Sequence, residues 1–154
     1  MTTRLTRQRL RACASAALVG AALLAGTVSA QTAPVDALYQ QLGGQSGLVM
    51  LIDDLMARLL DDPRMQPFFK DVDQRHVKAQ LVTQFCEVSG GPCKLKDPNM
   101  KKLHAGVDIT RTDFNAMVEV LQHSMDARGV AFSTQNRLLA RLAPMHRDIV
   151  NAPP

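Results

Sequence analysis

Four histidines and a late pair of cysteines are the residues whose types could do chemistry in this chain of 154 residues. His76, His104, His123 and His146 lie too far apart in sequence to form a zinc signature by spacing. His104 has the most informative setting, following Met100 and Leu103 on a short predicted helix, ahead of Gly106 and between two apolar helical hairpins. A neutral imidazole there can hold a metal-centred cofactor that the surrounding Leu, Val, Met and Phe side chains would bury. A lone histidine is equally at home on a surface or satisfied in a core. Cys86 and Cys93 flank Gly90-Gly91-Pro92, where the chain can turn back onto the preceding helix. In an oxidising compartment they read as a disulfide whose short loop stabilises by about 2 to 3 kcal/mol. Two reduced thiols are the bland alternative, and a redox dithiol is weaker because C-x-x-C spacing is absent. There is no P-loop, G-x-G-x-x-G, H-E-x-x-H or G-x-S-x-G segment, so the generic enzyme readings lose support.

The formal charge of +4 is local to the first segment. Arg4, Arg7, Arg9 and Arg11 precede an apolar run from Ala12 to about Val28, and no acidic residue occurs before Asp36. This reads as a secretory signal peptide over residues 1–30, cleaved after Ala30 in the Val28-Ser29-Ala30 sequence. An uncleaved membrane anchor is the alternative, but Ala, Gly, Ser and Cys13 make the run a poor spanning helix. Arg11 argues against lipidation at Cys13. Taking four arginines from the 18 basic residues leaves as many basic as the 14 acidic residues, so the basic balance gives no reason to expect a nucleic-acid partner. Residues 31–154 are then an exported, periplasmic domain with its core at about 36–150, large enough to bury most of its unfolded surface.

The elements that must position His104 are all helical. A short helix is expected from Val35 to Leu42, stopped by Gly43-Gly44. The next starts near Ser46 as N-cap and sets Leu48, Leu51, Ile52, Leu55, Met56 and Leu59 on one stripe, ending at Asp61-Asp62-Pro63. Pro67-Phe68-Phe69 forms a corner, and Asp73 caps a helix with Val77, Leu81, Phe85 and Val88 on one face. After the loop from Cys93 to Asn99 and the short His104 helix come two longer helices. The first turns Phe114, Met117, Val118, Leu121 and Met125 inward, and the second Leu138, Leu139, Leu142, Met145 and Ile149, with a kink at Pro144. Asn151-Ala152-Pro153-Pro154 reads as a frayed tail.

From Leu38 to Val150 the chain resembles the group 1 truncated haemoglobins. The matching marks are Leu38-Tyr39 with Leu42-Gly43-Gly44, Asp61-Asp62-Pro63 leading to Pro67-Phe68-Phe69, and Gly90-Gly91-Pro92. They continue with Met100-Lys101-Lys102-Leu103-His104-Ala105-Gly106, Ile109, Phe114 and Leu142-Ala143-Pro144. The Phe85-Cys86 and Gly90-Gly91-Pro92-Cys93 segments look like those of exported members. The resemblance implies an all-α truncated globin fold, a two-over-two helical sandwich around haem b, with His104 matching the proximal iron ligand. It also implies that Phe69 packs on the haem face and that Met56, Val77, Leu81, Met100, Leu103 and Phe114 border the cofactor.

On the distal side the chain departs from the family. Met56 stands where many members have a ligand-binding Tyr, and Val77 and Leu81 stand where polar residues are frequent. Without those donors, a pocket stabilises bound oxygen poorly while still admitting CO or NO. Gln80 and Gln84 could supply a polar group instead, or face solvent. Gln80 matches the position of a second axial His in some members, His76 is a candidate sixth ligand rotated off that face, and Met56 could ligate through its thioether. Phe85 matches a tunnel-lining position, though helix packing would look the same. Lys101 and Lys102 could pair with haem propionates, and His123 and His146 match nothing functional. The expected function is binding of oxygen or another diatomic gas, with NO dioxygenation, peroxide turnover or electron transfer to an unidentified redox partner as possible activities. The alternatives are a haem-free helical scaffold, which would tolerate His104→Leu, and a periplasmic redox protein working through Cys86 and Cys93.

Overall fold

The structure is a computed structural model describing residues 37–97 and 99–153, in which every regular element is a helix. The signal-peptide reading and the start of the first predicted helix lie outside the described residues. The elements are α1 (Ala37–Gln41), α2 (Gly44–Asp61), α3 (Gln66–Phe69), α4 (Gln74–Val88) and α5 (Met100–Leu103). They continue with α6 (Arg111–Ala127), α7 (Phe132–Leu142), a 3₁₀ turn (Ala143–Met145) and α8 (His146–Ile149). The switch to a 3₁₀ turn falls at Pro144, which has no N–H for an α-helical bond.

Helix α2 is the central beam, packing on both α4 and α6. The expected stripe is its inner face: Leu48, Leu51, Ile52, Leu55, Met56 and Leu59 are all buried. Phe85 and Cys86 of α4, Val120, Leu121 and Met125 of α6 and Leu138 of α7 complete the core. The predicted Ser46 cap is corrected. The helix begins two residues earlier, Gly43 is the N-cap with a left-handed φ of 85°, and the Ser46 hydroxyl donates to the Gly43 carbonyl at 3.4 Å. Backbone that turns into a helix through the left-handed region needs glycine more than a side-chain cap. At Gly47 the Leu42 carbonyl lies where a Cβ would stand, so any larger residue would push α1 off α2.

Asp73 caps α4 as expected, its carboxylate accepting the His76 N–H at 3.0 Å. The far end of α4 is tied into the core. Tyr39 donates its N–H to the Ser89 carbonyl at 3.2 Å, and a Cβ on Gly91 would stand 2.7 Å from both the Tyr39 ring and the Cys86 sulfur. Cys86 and Cys93 are paired with their Cα atoms 5.7 Å apart. Helix α6 opens with a capping box in which Thr110 and Asp113 exchange hydrogen bonds. The tail expectation is corrected as well. Asn151 donates its N–H to the Ile109 carbonyl at 3.0 Å and accepts the Ile109 N–H on Oδ1 at 2.8 Å.

Candidate functional site

A cavity of about 590 Å³ opens among α3, α4, α5, α6, α7 and the C-terminal turns. Its wall is mostly apolar, with Gln84, His104, Asp113 and Asn115 the polar residues among those that line it. Helix α4 brings Val77, Leu81 and Phe85, which follow one another at four-residue spacing, and α6 brings Phe114, Met117, Val118 and Leu121. Phe85 packs in the core and also lines the cavity. A second cleft, of about 420 Å³, includes His76, Gln80 and Lys96 in its wall. Both cavities share Val77, Leu81, Gln84, Met100, Leu103 and His104, so the gap between α4 and α5 is a slot reached from two sides.

His104 caps the C-terminal end of α5 and lines both cavities. Its Nδ1 lies 2.8 Å from the Met100 carbonyl oxygen. A carbonyl only accepts, so Nδ1 donates, and in the neutral imidazole Nε2 keeps its lone pair. A ring held in this way, with one nitrogen fixed by a backbone oxygen, could present the other to a metal. One turn of helix cannot hold itself in water. Three supports hold α5 in place: Asn99 accepts the Lys102 N–H at 2.9 Å, Glu87 of α4 accepts the Leu95 N–H at 2.9 Å, and the Cys86–Cys93 pair anchors the start of the loop. The Leu95 N–H, helped by Lys94, holds the Glu87 carboxyl below its ordinary range.

Of the residues expected around a cofactor, His104, Phe69, Val77, Leu81, Met100, Leu103 and Phe114 line the one cavity. Met56 is buried in α2 and is not among the lining residues. His76 and Gln80 are exposed and border only the smaller cleft. Gln84 does not simply face solvent. Its Nε2 donates to the Met145 sulfur at 3.1 Å and the Met100 sulfur at 3.6 Å, placing an amide against weak acceptors inside an apolar wall. Lys102 stands 3.7 Å from Asp97, and His146 meets the Phe114 ring edge-on at 4.9 Å between centroids. Sequence reasoning missed Asn151, whose Nδ2 donates to the His104 carbonyl at 2.8 Å. No local pattern marks a tail residue whose partners are more than forty positions away.

A volume of 590 Å³ lies within the roughly 300 to 1,000 Å³ typical of cofactor and ligand pockets. Among the described residues no three His, Cys, Asp or Glu gather into a metal site. The lining fits a metal that brings most of its own ligands inside an apolar macrocycle, to which His104 could add one nitrogen.

The bacterial-like globin family profile matches residues 37–151. The group 1 truncated haemoglobin GlbN of Nostoc commune is 29% identical over 114 residues, covering 74% of this chain and 97% of that protein. GlbN of Mycolicibacterium paratuberculosis is 28% identical over 112 residues, covering 73% of this chain and 82% of that protein. The solved Fe(III) truncated haemoglobin of Tetrahymena pyriformis superposes with a TM-score of 0.71 at 25% identity, covering 74% of this chain and 97% of its own. The 2/2 haemoglobin of Synechococcus, at 20% identity and a TM-score of 0.69, shares the fold over 74% of this chain and 98% of its own. The chain belongs to the bacterial-like globin family and is a group 1 truncated haemoglobin in fold and kinship.

Proposed function

We propose that the chain holds haem b in the slot between α4 and α5 through Nε2 of His104, and offers a diatomic gas an apolar distal pocket. The observation that carries this reading is the His104 ring itself, with Nδ1 on the Met100 carbonyl at 2.8 Å and the rest of the ring at an apolar cavity. Bound haem would supply an iron centre able to take oxygen, NO or CO. The protein's share is to fix the imidazole, exclude water with Phe69, Leu81 and Phe114, and withhold strong donors from the opposite side.

Val77 and Leu81 support the distal half of this reading, because neither can donate a hydrogen bond. A ligand with partial negative charge gains little there, which favours gas binding or electron transfer over a reaction that needs long-lived bound oxygen. Gln84 sits against Met145 and Met100, beside the first turn of α5, and serves the frame of the site rather than the ligand.

The same reading places the protein outside the cytoplasm after removal of residues 1–30, with Cys86 and Cys93 as a structural disulfide. The arginine-led apolar N-terminus and the pairing of the two cysteines support it.

Titration of the protein with haemin tests the central assignment. One haem per chain should bind with a Soret band and a histidine-ligated ferrous spectrum that changes on CO addition. His104→Ala should lose that ligation. Haem binding that is indifferent to His104→Ala would overturn the reading and favour a haem-free scaffold.

A further inference from the structure

Beyond the supports that hold the start of α5, the stretch from Leu103 to Ile109 that carries His104 buries little of its own surface. Helix α5 is one turn, Leu103 is 56% exposed, and the loop that follows passes through left-handed backbone at Gly106 and Asp108. Such a segment has little apolar packing to fix its backbone. Yet the His104 carbonyl and the Ile109 backbone are both grasped by one side chain from the C-terminal end. Asn151 Nδ2 donates to the His104 carbonyl at 2.8 Å, and Oδ1 accepts the Ile109 N–H at 2.8 Å. The Asn151 N–H donates to the Ile109 carbonyl at 3.0 Å, and the Ala152 N–H reaches the same oxygen at 3.1 Å.

We propose that Asn151 is a positioning residue for His104, a bracket that closes the His104–Ile109 loop and sets the backbone from which the imidazole is aimed. The inference rests on His104 being the axial ligand. An amide is suited to the task, because one group must donate to a carbonyl and accept from an N–H at once. A carboxylate would turn a second acceptor toward the His104 carbonyl, and a hydroxyl is too short to span both. The Met100 carbonyl fixes the rotation of the ring, and Asn151 fixes the backbone beneath it, so the two bonds divide the orientation of one side chain.

Asn151 is exposed, and an exposed hydrogen bond adds little to global stability. Its effect should therefore show in ligation geometry rather than in melting. The test uses the haem-loaded wild type, Asn151→Ala and Asn151→Asp, with three readings. These are the iron–histidine stretching band of the ferrous form by resonance Raman, the rate of haem transfer to excess apomyoglobin, and the melting temperature of the haem-free protein. The expected result is a shifted or broadened band and haem loss faster by roughly tenfold, since outer partners of a ligating histidine commonly matter by that factor. Asn151→Asp should be more affected than Asn151→Ala, with melting nearly unchanged in both. A wild-type band and transfer rate in both variants would overturn the inference, whatever their melting temperatures. A wild type with no iron–histidine band at all would overturn the axial-ligand reading first, and this inference with it.

Discussion

His104 and its surroundings show how much one hydrogen bond decides. The Met100 carbonyl selects the tautomer, and in the neutral ring that tautomer leaves the Nε2 lone pair available to a metal, as the proposed haem ligation requires. Across the slot the decisive fact is what Leu81 lacks. Leu81→Gln would place an amide donor on the cavity face of α4. It should slow oxygen release by roughly ten- to a hundredfold, because a hydrogen bond to a charged acceptor is worth about 1.5 to 3 kcal/mol. Flash photolysis or stopped-flow displacement of oxygen by CO reads that rate directly. An unchanged off-rate would mean that the pocket is not shaped by α4 at this position. At this scale the sequence was only partly legible. His104, Val77 and Leu81 could be found because a helical period and family marks surround them. Gln84 could be placed on the right helix but not given partners, since Met145 comes from an element sixty-one residues later. Asn151 was hidden for the same reason.

Helices could be read wherever an apolar stripe was long enough to declare its period, as α2, α4 and α6 were. Their ends were less legible, because a cap is a matter of backbone angle. Ser46 looked like a cap by type, whereas the left-handed Gly43 does the work. Thr110 is the better-formed case. Its hydroxyl accepts the Asp113 N–H at 3.2 Å and donates to the Asp113 carboxylate at 2.6 Å, and that hydroxyl bond, followed by the Thr110 N–H at 2.9 Å, holds the Asp113 carboxyl below its usual range. Thr110→Ala should cost about 1 kcal/mol in urea unfolding. The pH dependence has a definite sign. A carboxyl with a folded pKa below its unfolded value adds stability that is complete above the unfolded value, near 4, and fades as pH falls through the folded one. The acid limb of unfolding should therefore flatten in Asp113→Asn, with little change at pH 7 beyond the lost cap. Steepening of that limb would contradict the assignment.

On the scale of the whole molecule, α2 forms the floor of the fold, while the site sits between α4 and a single turn of helix that α4 must support. Glu87, Gln84 and Cys86 of α4 reach Leu95, Met100 and Cys93, so the loop before His104 is laid along the end of that helix. Breaking the Cys86–Cys93 link with a phosphine reductant should lower unfolding stability by about 2 to 3 kcal/mol. It should also speed haem loss more than it alters the helical circular dichroism, because the core of α2 and α6 does not depend on it. Equal stability before and after reduction, with two thiols titrated in the untreated protein, would show that the cysteines are not bridged.

In the proposed function one imidazole, aimed by the Met100 carbonyl, joins this fold to its cofactor. The most direct test of that role is the ferrous and CO-bound spectrum of haem-loaded His104→Gly, recorded with and without added imidazole. The histidine-ligated spectrum should be lost in the variant and return when free imidazole enters the vacated space. A variant that keeps the wild-type spectrum without imidazole would contradict it.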